Sequence, residues 1–126
     1  TLSHLMWGDL IWMSRFEGSA GPGGSIPGSP EMYDWETLMR ERPQLDARIA
    51  GWAWMVLPED LDGDLTWYSS AMGREMTKPV SLCIAHFFNH QTHHRGQMHG
   101  MLTAAGARPE DTDLVILPDD VPEWET

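Results

Sequence analysis

The sequence has one cysteine, Cys83, among 126 residues. That rules out an intrachain disulfide and fits a reducing compartment such as the cytoplasm. Flanked by Leu82 and Ile84, Cys83 reads as a small buried hydrophobe. Positive charge is scarce as well: 8 basic residues against 19 acidic ones leave a net charge of −11. Such a field repels phosphate backbones and anionic lipid, which argues against nucleic acid and membrane surfaces as partners. No apolar run reaches the roughly 20 residues that a membrane span requires. The glycine-rich stretch Gly18 to Pro30 lacks the Gly-Lys-Ser/Thr ending of a phosphate cradle, so it reads as a connecting loop. In Asp60-Leu61-Asp62-Gly63-Asp64 the glycine offset is wrong for a calcium loop, and Ala71 stands where the twelfth-position glutamate belongs.

The chain is rich in large, adaptable side chains, with seven Trp and nine Met. They point to a dense core or to a pocket lined by them. At this length the expectation is one domain over residues 1–126. Residues 2–16 read as a helix apolar nearly all round, with His4 and Asp9 as polar exceptions, and such a helix packs between neighbours. Residues 31–57 carry a second helical pattern, in which Pro43 should kink or split the helix. Leu65 to Thr77 reads as an irregular connection or a short hairpin. A last helix is predicted from about Pro79 to Gly106, with its apolar stripe on Val80, Ile84, Phe87, Met98, Met101, Leu102 and Ala105. Asp113 to Pro118 reads as a short extended packing segment before an acidic tail.

Five of the six histidines crowd into His86–His99, on that last helix. At about 100° per residue, His94 falls within about 20° of the stripe's centre and His90 within about 60°. His86, His93 and His99 fall roughly 100–120° away on the same wheel. Two histidines on one buried face must each satisfy two ring nitrogens away from water, and one metal ion serves both. A third ligand is then needed, and His4, on a different buried helix, is the natural donor, with His86 a fallback. Three neutral imidazoles leave coordination positions open, and they suit Zn²⁺, Ni²⁺ or another late divalent ion. Gln91 follows His90, so the His-Glu-x-x-His metalloprotease pattern is absent, and no carboxylate lies between His86 and His99. Asn89, Gln97 and Asp9 are candidates to orient the rings.

The run His86-Phe87-Phe88-Asn89-His90-Gln91-Thr92-His93-His94-Arg95-Gly96-Gln97 resembles the signature of the DinB/YfiT-like family of metal-dependent proteins. Leu2-Ser3-His4-Leu5-Met6-Trp7-Gly8-Asp9 is similar to that family's second-helix motif, and Thr112-Asp113-Leu114 to its closing segment. The resemblance spans essentially the whole chain. It implies an all-α four-helix bundle of DinB/YfiT type, usually a homodimer, with a divalent metal held at the positions of His4, His90 and His94. The family's first helix has no counterpart before Leu2, so an upstream segment or a neighbouring molecule is expected to cover the first helix. Some branches of the family transfer low-molecular-weight thiols, which implies a metal-dependent enzyme that activates a thiol or water for a small-molecule substrate. The alternatives are a non-catalytic dimeric bundle that binds metal, and a fragment whose histidines take up metal adventitiously.

Overall fold

The computed structural model describes residues 1–117. Helix α1 spans Leu2–Glu17, α2 spans Trp35–Met55 and α3 spans Val80–Ala104. Between α2 and α3 the chain forms an antiparallel hairpin of β1 (Asp64–Ser69) and β2 (Arg74–Pro79). None of these helices is long and apolar enough to cross a membrane.

The expected all-α four-helix bundle is overturned by these elements. Among the described residues there are three α-helices and a two-stranded sheet. The physical reason lies in Leu65-Thr66-Trp67-Tyr68 and Met76-Thr77, which are rich in β-branched and aromatic residues. Their alternation has a period of two, so Leu65, Trp67 and Ser69 are half-buried while Asp64, Thr66 and Tyr68 face solvent. Trp67 pairs with Met76 across the ladder, and Gly73 closes the turn at φ 65°, where a side chain would be strained. The inner face of the hairpin sets Trp67 edge-on to Trp12 of α1, with ring centroids 5.3 Å apart.

No residue of α1 from Leu2 to Phe16 is exposed, as its apolar circumference requires. The helix ends on Gly18 in the left-handed conformation, and the Gly18 and Ser19 amides both donate to the Ser14 carbonyl. Asp34 caps α2 by accepting from the Thr37 amide at 2.8 Å. Pro43 does not split α2, which runs on to Met55. Pro43 and Met39 both face solvent, where water can serve the carbonyl that proline leaves without a donor.

Helix α3 ends near the expected glycine. Gly106 adopts φ 87°, and the Ala107 amide reaches back to the Leu102 carbonyl at 3.0 Å. Its apolar stripe is covered only in part. Cys83, Phe87 and Gln91 are buried, whereas Met101 and Leu102 are 55% and 47% exposed. The predicted extended packing segment is likewise corrected: Leu114–Ile116 forms a 3-10 turn, with Leu114 and Val115 almost fully exposed. Pro118 and the acidic tail lie outside the described residues.

The core joins Met6 and Met13 of α1, Leu45 of α2 and Phe87 of α3. Around it Phe16 stacks on Trp52 at 5.0 Å and meets Phe87 edge-on at 5.5 Å. A buried polar tie crosses the same three helices. Asp9, fully buried, accepts from Arg42 Nη1 at 2.7 Å and from Gln91 Nε2 at 3.2 Å, and Arg42 also grips Asp46. Burial pushes the Asp9 carboxyl above its usual range even with Arg42 beside it. Asp9 therefore ties helices together and does not orient a histidine ring.

Candidate metal centre

His4 meets His94 and Trp12 meets His86, so α1 and α3 run antiparallel along one seam. At the start of α1 this seam brings together His4, His90 and His94, all half-buried. One ring nitrogen from each lies within 4.8 Å of the others. The ring centroids are 4.5 Å apart for His90–His94, 4.7 Å for His4–His94 and 5.2 Å for His4–His90.

The hydrogen bonds settle which nitrogens face inward. Ser29 has one hydroxyl proton and donates it to the Ile26 carbonyl at 2.8 Å. Its Oγ, 2.7 Å from His4 Nδ1, must then accept the Nδ1 proton. His4 Nε2 is left with a lone pair directed into the cluster, 3.2 Å from His90 Nε2. His94 Nδ1 donates in turn to the Gln97 side-chain oxygen at 2.8 Å, which frees its Nε2. Gln97, three residues on from His94, thus fills the orienting role expected of it. Asn89 is exposed and takes no such part.

Charge and burial favour the ligand form. Burial lowers the pKa of His4, with His94 and the N-terminal ammonium adding to it. Burial, then His94, His4, His86 and His93, lower His90 to about 4. Both rings are therefore neutral near pH 7, which coordination requires. Nitrogens at about 2.1 Å from a tetrahedral ion would stand about 3.4 Å from one another, close to the His4–His90 spacing. The residues fit a divalent ion. The remaining histidines do not converge on it: His86 and His93 are exposed, and His99 lies against the Glu110 carbonyl at 3.3 Å.

Two contributors were not read from the sequence. Ser29 sits in the loop before α2, fully buried, with Ser3 Oγ donating to its carbonyl at 2.5 Å. No local pattern marks a serine that reaches a helix 25 residues upstream. Gly8 is the other, one turn after His4. A Cβ there would stand 2.8 Å from His90 Cε1, so any side chain would push that ring out of its present position. Gly8→Ala should weaken metal affinity by about tenfold or more, as other disturbances around a metal's ligands do. The metal-free fold should survive, because alanine gains about 1 kcal/mol of helix propensity. Calorimetric titration with Zn²⁺ beside a thermal melt of metal-free protein separates the two effects, and unchanged affinity would refute the close-packing argument.

No curated protein and no solved structure matches the chain. A family model does, and it spans residues 1–125. The match covers nearly the whole chain, so the chain belongs to the DinB family.

Proposed function

We propose that the protein is a divalent-metal-dependent enzyme in which His4, His90 and His94 hold the ion and a thiol or water takes a remaining position. The observation that carries this reading is the convergence of three imidazoles with two Nδ1 protons already engaged, by Ser29 and Gln97. Three protein ligands leave a tetrahedral ion at least one position for an exchangeable group. When bound, Zn²⁺ or Ni²⁺ would lower the pKa of a thiol or water there and so make it nucleophilic near pH 7.

The chain's own residues supply orientation and enclosure. Ser29 and Gln97 hold two rings against rotation about their side-chain bonds. Trp7 is buried beside His4, with ring centroids 6.3 Å apart, and its Nε1 donates to the Gly23 carbonyl at 2.9 Å. It walls one side of the site and pins the glycine-rich loop. The half-burial of the three imidazoles leaves the other side accessible to a small molecule. The same reading includes a homodimer, which would cover apolar side chains such as Trp54 and Met55, now 83% and 74% exposed.

The test is spectroscopic. With Co²⁺ as the bound ion, a small thiol should produce a sulfur-to-metal charge-transfer band, and the band should be absent after His94→Ala. A cobalt spectrum that ignores thiols and azide alike would mean a saturated ion and a non-catalytic metal-binding protein.

A further inference from the structure

The seam that carries the metal centre continues along α1 and α3 as a row of rings. His86 lies 5.8 Å from His90, and Trp12 lies 5.3 Å from His86, centroid to centroid. The row ends at Arg15, whose guanidinium carbon sits 4.6 Å from the Trp12 ring and 5.1 Å from that of Trp67 on the hairpin. We infer that Arg15, framed by Trp12 and Trp67, binds the anionic end of an elongated substrate whose thiol reaches the metal centre.

This inference rests on the thiol-activating reading above and adds to it the substrate's charge and length. Arg15 is half-buried and yet, among the described residues, enters none of the ion pairs and none of the side-chain hydrogen bonds. That is unusual in a chain with 19 acidic residues and 8 basic ones. Arg42 and Arg48, also half-buried, each sit on carboxylates. Among the described residues no buried side-chain nitrogen lacks a partner, so the N–H groups of Arg15 reach solvent and remain available. The two indoles fix the guanidinium plane by cation–π contact and leave the donor fork to a carboxylate or phosphate. Burial depresses the Arg15 pKa, and the only neighbour that offsets this is Cys83, not a carboxylate. An incoming anion would supply the missing counter-charge.

Arg15 lies eleven residues beyond His4, about 16 Å of helix rise; both side chains lean back toward the helix start, and the longer Arg15 side chain reaches back further. A substrate that joins the two points must therefore place roughly 10–15 Å between thiol and anion. His86 and Trp12 would line the path between them.

Four thiols tested on the Co²⁺-substituted protein decide the matter, with the charge-transfer band as the binding readout. They are mercaptopropionate and mercaptoundecanoate, each beside its uncharged alcohol. Mercaptoundecanoate should bind about tenfold or more tightly than mercaptoundecanol, the effect of one charge-assisted contact, despite the protein's negative field. The short pair should show no such preference for the acid, because it cannot span the distance. Arg15→Met should abolish the preference for the long acid while keeping the band, and Arg15→Lys should retain only part of it. Equal affinity for the long pair, or a preference that survives Arg15→Met, would overturn the assignment while leaving thiol activation standing. If Arg15→Met does not fold, the long and short pairs on the unmutated protein still decide. No band with any thiol would remove both the open metal position and the substrate class inferred from it.

Discussion

Replacing His90 or His94 with alanine should strip the protein of its metal, lowering affinity by more than about 100-fold. Changes to residues that merely orient a metal's ligands already cost about 10–100-fold, so losing a ligand must cost more. His4→Ala should match them, because its Nε2 enters the cluster as directly as the other two. Gln97→Leu should fall between these variants and the unmutated protein, since the His94 ring would persist but could rotate. His93→Ala and His99→Ala should leave metal content unchanged. His93 is exposed and outside the cluster even though its ring is 4.9 Å from that of His94. Elemental analysis of the purified series reads all of these at once. Equal loss for His93→Ala and His94→Ala would overturn the ligand assignment.

The largest effect on the fold itself is expected from Arg42→Met. Asp9 would keep its burial and lose its counter-charge. Breaking a buried pair from one side costs about 3–5 kcal/mol, which for a chain of this size lowers the melting temperature by more than about 10 °C. The sign of the pH dependence follows from the direction of the Asp9 shift. Burial raises its folded pKa, and removing Arg42 raises it further, so the variant's carboxyl contributes stability while protonated and loses it as pH rises through the folded pKa. The deficit relative to the unmutated protein should therefore shrink on acidification. Adding Asp9→Asn to Arg42→Met should recover part of the loss at pH 7 by removing the stranded charge. Thermal melts across pH check both points, and a deficit that is constant with pH would mean that Asp9 carries no unpaired charge in the variant.

The histidine cluster was more legible in the sequence than the architecture around it. His90 and His94 stand out because a helical wheel converts spacing directly into direction. His4 could be proposed because it is a polar residue on a helix with no polar face. The same wheel failed at Met101 and Leu102, since periodicity says which way a side chain points and not whether a neighbour stands there. Asp9 was seen as a polar exception on an apolar helix, but its partner Arg42 lies 33 residues away on α2, and only tertiary structure pairs them. The segment from Leu65 to Thr77 read as either an irregular connection or a short hairpin, and the structure decides for the hairpin. The family resemblance nonetheless pointed to a fully helical bundle, and the β-forming composition of this segment prevailed locally.

Ser29 gives the glycine-rich loop a role beyond connection. Its hydroxyl acts as a one-way relay: with its proton committed to Ile26, it can only accept from His4. The loop thereby selects the His4 tautomer, and the energy of holding the loop closed and the energy of holding the ion become linked quantities. An ion that tightens His4 must also tighten residues 26–29. Any molecule that pries the loop open must weaken the grip on the ion by the same factor.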